Sequence, residues 1–465
     1  MYFIRKVGIM DIESIRSLQK EYFQSGATRK PECRIAALEN LKKAICDNEN
    51  ELNEAIYEDL GKSPYETYMT ETGLVLDEIS YMIDHISDLR RRKYSFAPLT
   101  VAPADCYSLA EPYGNVLIIG SWNYPLNLTL IPLVDALAAG NTAIIKVSAY
   151  APATGAALQS IISRYLPPQY VAVVEGGREV NCRLLDMEFD LIFFTGSKEM
   201  GRFVLSKAAP HLTPVVLELG GKCPCVVDAS ANIEVAARRI VFGKFLNAGQ
   251  TCVAPDYVLV ENSVKELFLN ALADEIHRQF GKLPLENVDY GKIVNDKHFQ
   301  RILSLMQGQE IWLGGQYDEA SRRLEPTVIL DPALDSPLMR QEIFGPLLPV
   351  IGFDDIAGVP EIISLNPDPL ALYLFSVNRI TRELIFENIR FGGGCINDTV
   401  MHMAGNKLGF GGVGSSGMGA YHGKTGFYTF SHVKSVLEKP NIAENSIRYQ
   451  PYNAKKEKTL RRFLK

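Results

Sequence analysis

The sequence predicts an α/β protein: a doubly wound parallel sheet followed by a second α/β unit. Two observations carry the prediction. Between residues 115 and 221, unbroken apolar runs recur at intervals that leave room for one helix between each pair. The chain, at 465 residues, is also too long for one small core, so about two or three domains are expected.

The elements follow in order. Residues 10–95 read as helices, with Ile35, Leu38, Leu41 and Ile45, then Leu52, Ile56 and Leu60, at helical spacing. Gly61 with Pro64 is expected to end one helix, and Gly73 to interrupt the next. VAPADCYSLA (101–110) is an extended stretch. NVLIIGS (115–121) is the first buried strand, followed by a helix to Ala139, the strand TAIIK (142–146) and a helix over 152–165. YVAVVEGG (170–177), DLIFFTGS (190–197) and PVVLELGG (214–221) continue the sheet, with helices between them. The second unit begins near CPCVVDASA (223–231). Its helix spans 233–248, with Ser230 or Asn232 as cap and Gly249 as stop, and leads to the strand YVLVEN (257–262). FSHVKSVLE (430–438) looks strand-like. The basic tail, NAKKEKTLRRFLK (453–465), reads first as a solvated, frayed end and second as a weak membrane-surface contact.

Composition excludes several function classes. With 48 Lys and Arg against 54 Asp and Glu, a net charge of −6 gives no reason to expect nucleic acid or an anionic membrane as main partner. Eight scattered cysteines fit a reducing compartment better than a disulfide framework. Cys223 and Cys225 lack a matching Cys/His pair, so no metal site is expected. The start, MYFIRKVGIMD, lacks a signal-peptide core, and no run approaches the ~20 apolar residues of a spanning helix. A cytoplasmic protein with no transmembrane segment is expected.

The turn GQTCVAP (249–255) places Cys252 between a helix and a strand. An inert buried thiol is the commoner role for a free cysteine, so Cys252 alone decides nothing. The same holds for Asn123 in SWNYP (121–125) and for Glu218 in LELGGK (217–222). Yet these segments, with FTGSKEMG (194–201), lie where predicted parallel strands end. Open α/β sheets bind ligands beyond the carboxyl ends of their strands, so the segments are expected to converge.

Taken together with EPYGNVLII, GQTCVAPDY, EIFGP (342–346), FGGGCIND (391–398) and GFGGVGSSGMGAYHGK (409–424), the sequence resembles the aldehyde dehydrogenase superfamily. It is most similar to the class 3 branch, from about residue 15 to residue 450. The resemblance implies oxidation of an aldehyde to a carboxylate with NAD or NADP. It implies that Cys252 attacks the aldehyde to form a thiohemiacetal and then a thioester. The Asn123 side-chain amide and the Cys252 backbone N–H would hold the oxyanion, and Glu218 would activate water. It also implies a dinucleotide site at Thr195, Gly196, Ser197 and Gly201, with the Ser197 helix N-terminus facing the pyrophosphate. Glu342 would take the nicotinamide-ribose hydroxyls with Phe344 nearby, and Lys146 the adenosine ribose.

One position departs from the family pattern. Many relatives follow that lysine with Pro, a small residue and Glu; this chain has Val147, Ser148 and Ala149. A carboxylate there would repel a 2′-phosphate and Ala149 cannot, so use of NADP is expected alongside NAD. The resemblance further implies a cofactor-binding domain (1–100 and 114–216), a catalytic domain (217–424), bridging and oligomerisation strands (101–113 and 425–450) and the tail (451–465). It implies a homodimer acting on a small-molecule aldehyde, of the medium- to long-chain or aromatic kind. The rival readings are a CoA-acylating aldehyde dehydrogenase, whose members generally lack the counterpart of Glu218, and a cysteine esterase or hydrolase on the same fold. Trp122, Tyr124 and Tyr68 are candidates for an aldehyde channel, although large aromatics at such positions are more often core.

Overall fold

The computed structural model describes residues 11–98, 100–441 and 446–464. The N-terminal region is a helical layer: Ile12–Gln24, Pro31–Asp47, Glu49–Leu60 and Gly73–Leu89. Gly61 ends the third of these helices at φ 63°, a left-handed cap that glycine adopts without a Cβ penalty. The chain then re-enters helix at Pro64–Thr67, capped by Ser63. Gly73 does not interrupt the next helix. A widened turn over Tyr68–Thr72 runs straight into Gly73–Leu89. A Cβ at Gly73 would lie 2.6 Å from the Tyr68 carbonyl oxygen, so the glycine admits the wide turn rather than breaking the helix.

The first large sheet has six strands, in the order Gly417–Met418, Val215–Leu219, Leu191–Gly196, Asn115–Ile119, Thr142–Lys146, Val171–Val174. All pairings are parallel except that of Gly417–Met418. Strand order reverses at Asn115–Ile119. The crevice between its end and that of Leu191–Gly196 is therefore the switch point at which such sheets bind ligands. Every residue of Asn115–Ile119 and Thr142–Lys146 is buried, as their uninterrupted apolar texture requires. The helix Asn127–Ala139 is buried along its whole length.

The second sheet has seven strands: Ile311–Leu313, Thr327–Leu330, Leu347–Phe353, Tyr257–Glu261, Pro224–Val227, Ala371–Phe375 and Gly393–Ile396, in that spatial order. Only the edge strand Ile311–Leu313 is antiparallel. A separate three-stranded antiparallel sheet joins Lys93–Ser95, Asp105–Pro112 and Ser431–Glu438.

Two further expectations need correction. The helix predicted over 233–248 ends at Phe245, capped at its start by the Asn232 side chain. Asn247 and Ala248 turn left-handed, both at φ 52°. The tail is not frayed: Ala454–Phe463 is a helix, because Asn453 caps it and Arg461 pairs with Glu457 at 2.7 Å. Among the described residues no helix is long and apolar enough to cross a membrane.

Candidate active site

Two turns meet at the carboxyl end of the first sheet. One follows Asn115–Ile119 and carries Asn123, which is 2% exposed. The other follows the helix Ile233–Phe245 and carries Cys252. They are tied by their amides: Asn123 Nδ2 donates to the Gln250 carbonyl at 3.0 Å, and Asn247 Nδ2 donates to the Asn123 carbonyl at 2.7 Å. The Tyr124 hydroxyl meets Thr251 Oγ1 at 2.5 Å. Gly249, at φ 75°, packs so close to the Gly345 carbonyl that a Cβ there would overlap it. The EIFGP segment is thus pressed against the Cys252 turn.

Cys252 is half-buried, and its own backbone N–H and that of Val253 point at the sulfur. Burial, followed by the Glu342 and Glu218 carboxyls, pushes the thiol up to about 12, so the resting group is protonated. Glu218 lies in Val215–Leu219, paired across to Thr195 on one side and Gly417 on the other. Both its carboxylate oxygens are buried without a side-chain partner, and only the Gly412 N–H faces it. Desolvation therefore raises its pKa well above the ordinary carboxylate range. Glu342 is pushed up to about 8, by burial first and then by Asp256, while Lys198 and Arg301 pull it back. Its segment is anchored by Asp256, which accepts the Ile343 N–H at 3.1 Å and the Lys222 Nζ at 2.6 Å.

The remaining predicted residues lie at the switch point or beside it. Thr195 and Gly196 end Leu191–Gly196. Ser197 caps the helix Lys198–Ala208, its Oγ accepting the Met200 N–H at 3.3 Å. A Cβ on Gly201 would lie 2.7 Å from Leu219 Cδ2, so this glycine lets that helix press onto the strand bearing Glu218. Phe344 sits at φ 48°, edge-on to Trp122 at 5.3 Å. Lys146 ends its strand almost wholly buried, its Nζ donating to the Val147 carbonyl at 2.7 Å. Burial lowers its pKa to about 8, against the charge of Glu175, which comes directly after the adjacent strand Val171–Val174.

These groups suit a dinucleotide. Thr195 Oγ1 and Glu342 Oε1 are buried and unpartnered, and a Cβ on Gly220 would overlap the Glu342 carboxylate. A helix N-terminus beside an orphan hydroxyl fits a pyrophosphate; an orphan carboxyl fits ribose hydroxyls. Of the aromatic candidates, only Tyr68 is openly exposed. Tyr124 is core, under the Lys62 ammonium at 4.2 Å. Trp122 packs on Phe344 and His298. Sequence reasoning missed Asn247, Gln250, Lys62, Glu66 and Glu71, because their partners lie far off in the chain or, for Gln250 within GQTCVAP and Glu66 after Ser63, the local motif does not show the role.

A parallel-sheet crevice flanked by a half-open thiol, an oxyanion-type turn and a dinucleotide cradle defines a dinucleotide-dependent oxidoreductase. The model of the aldehyde dehydrogenase family matches residues 4–436, and the chain belongs to that family. It is 43% identical over 438 residues to 4,4′-diaponeurosporen-aldehyde dehydrogenase of Staphylococcus aureus, covering 94% of this chain and 95% of that one. It is 40% identical over 448 residues to the mouse aldehyde dehydrogenase described as dimeric and NADP-preferring, covering 96% and 99%. A substrate-bound structure of Staphylococcus aureus AldH superposes with a TM-score of 0.95 at 42% identity, covering 98% of this chain and 100% of that one. The protein is a non-acylating, NAD(P)-dependent aldehyde dehydrogenase, and neither the CoA-acylating nor the esterase reading is favoured.

Proposed function

We propose that Cys252 is the nucleophile of this aldehyde oxidation, Asn123 its oxyanion donor and Glu218 its general base. One observation carries the reading: the half-exposed thiol faces the Glu218 and Glu342 carboxyls, on a turn hydrogen-bonded to that of Asn123. The Cys252 sulfur adds to the aldehyde carbon, its proton passing to the deprotonated form of Glu218, and the carbonyl oxygen becomes an alkoxide. Asn123 Nδ2, released from the Gln250 carbonyl, and the Cys252 N–H supply two donors to that charge. Lys146, Thr195, Gly196, Ser197, Gly201, Glu342 and Phe344 would hold NAD or NADP, which would accept the hydride that the alkoxide carbon gives up. The carbon left on Cys252 is then a thioester. Glu218, once deprotonated, takes a proton from water as the water attacks that carbon, and the Cys252 sulfur leaves.

The substrate class we infer is medium- to long-chain and aromatic aldehydes, supported by the class 3 resemblance. NADP is accepted alongside NAD: Ala149 is an exposed small residue, and the mouse relative is described as NADP-preferring. The assembly is a homodimer built on the three-stranded sheet. Beside it Phe96 is fully exposed, and Tyr94, Val433 and Leu437 are 66%, 45% and 48% exposed. An aldehyde panel assayed with each nucleotide tests the class. Sedimentation at micromolar concentration tests the dimer, and a monomer alone would reject it.

A further inference from the structure

The turn that carries Cys252 is an unfavourable piece of backbone. Asn247 and Ala248 are consecutive left-handed residues at φ 52°, a conformation that is unfavourable outside glycine. Asn tolerates it; Ala has no side-chain bond to offset it. The turn also lies beyond the C-terminal end of the helix, where the buried Asn247 N–H has no helical carbonyl to bond and needs an acceptor from elsewhere. Something outside the turn has to hold it.

The holding group comes from the N-terminal helical layer. Ser63 caps the helix Pro64–Thr67, and Glu66 occupies the position from which a capping-box glutamate turns back to its own cap. Instead Glu66 Oε1 accepts the Asn247 N–H at 2.8 Å. Asn247 so held reaches the Asn123 carbonyl at 2.7 Å and the Gln250 carbonyl at 3.3 Å. The opposite turn is gripped from the same layer. Glu71 Oε2 accepts the Leu126 N–H at 2.8 Å and that of Asn127 at 3.4 Å. Its Oε1 pairs with Lys62 Nζ at 2.6 Å, both side chains being fully buried, and Lys62 reaches the Asn123 carbonyl at 3.4 Å. The proposed reaction uses none of these three charges. A buried pair of this kind contributes little net stability, so geometry is the better account of it.

We propose that Glu66 is a positioning residue for the reaction. Its carboxylate locks the left-handed Asn247–Ala248 turn, and through Asn247 it sets the distance between Cys252 and the Asn123 amide, while the Lys62–Glu71 pair fixes the Asn123 side. This rests on the roles proposed for Cys252 and Asn123. The chemical requirement on residue 66 is an acceptor oxygen at glutamate reach, not a negative charge.

Three substitutions separate these properties. Glu66→Gln keeps the acceptor and drops the charge. Glu66→Asp keeps the charge and withdraws the oxygen by one methylene. Glu66→Ala removes both. The expected result is a kcat within about threefold of wild type for Gln, and a loss of about 10- to 100-fold for Asp and Ala, the scale of an ångström-sized misplacement. KM for the nucleotide, and its equilibrium binding read by tryptophan fluorescence, stay unchanged in all three. Adding Ala248→Gly to Glu66→Ala relieves the left-handed strain and restores part of kcat, which a general packing defect would not allow. The Asp and Gln pair carries the test even if the Ala variant fails to fold. Wild-type kcat in Glu66→Asp, or Gln as impaired as Asp, would overturn the proposal. Either result leaves the Cys252 reading standing, whereas activity in Cys252→Ser would remove that reading itself.

Discussion

Cys252 and Cys223 are neighbouring thiols with opposite surroundings. Cys223 is fully buried, its sulfur 3.4 Å from the Cys252 carbonyl and accepting the Ala371 N–H at 3.3 Å. Cys252 is half-exposed and faces two carboxyls. Burial raises both pKa values, well above the ordinary thiol range for Cys223 and to about 12 for Cys252. A resting pKa therefore does not tell them apart. Access does, together with what lies within reach: Cys223 is enclosed by peptide groups, whereas Cys252 opens toward the Glu218 and Glu342 carboxyls and the turn of Asn123. On the role proposed for Cys252, the nucleophile is set by its partners and not by its intrinsic acidity.

The largest effect that can break this comparison is at Cys252. Cys252→Ser should lower dehydrogenase turnover by more than about 10³-fold, because a hydroxyl is far less nucleophilic than a thiolate. Nucleotide binding, measured by fluorescence, should survive. Turnover near wild type in the purified variant would end the mechanism.

Next in size is Glu218→Gln. Thioester formation should still reduce about one equivalent of nucleotide per site in a rapid-mixing experiment, followed by a steady rate lower by roughly 10²–10⁴-fold. The pH dependence carries a sign. Burial raises the Glu218 pKa well above the ordinary carboxylate range, and a base has to shed its proton first. Wild-type deacylation should therefore climb as pH rises above the ordinary carboxylate range and the carboxyl gives up its proton, and the Gln variant should lose that climb. A wild-type rate that falls over the same range would assign the base elsewhere.

A smaller effect sharpens the cofactor reading. The acid whose charge acts on Lys146 is Glu175, at the end of the adjacent strand, and Ala149 supplies none. Ala149→Glu should weaken NADP relative to NAD by about 10-fold, since like charges near an exposed site repel by a kcal/mol or so after screening. Glu175→Gln should shift the ratio several-fold the other way. Comparing kcat/KM for both nucleotides reads the two variants; unchanged ratios would remove these residues from the specificity argument.

The smallest effect belongs to Cys223. Cys223→Ser should leave kcat within about twofold and the thermal midpoint little changed, because the peptide groups that partner the buried sulfur can also hydrogen-bond a hydroxyl. A large fall in kcat at unchanged stability would mean that the two thiols are not as different as their surroundings suggest.

By itself the sequence determined what local pattern can determine. Apolar runs such as NVLII and TAIIK bury both faces wherever they occur, so the parallel strands and their order of appearance were legible. So were the short motifs that end those strands, and the structure brings Asn123, Glu218, Cys252 and Glu342 to one crevice. What only the tertiary structure decided rests on partners distant in the chain. A helix pattern continuing to residue 248 is broken at Phe245, where the turn's first N–H finds Glu66, 181 residues away. Gly73 looks like a breaker, and only its contact with the Tyr68 carbonyl shows that it lets the helix pass. Around Lys146 the motif ends at an alanine, but the acid that acts on it arrives from the next strand, after Val174. Local propensity is a property of neighbours in sequence. Hydrogen bonds and charges act across space, so where a backbone group is satisfied or a charge balanced from elsewhere, the chain alone gives no sign of it.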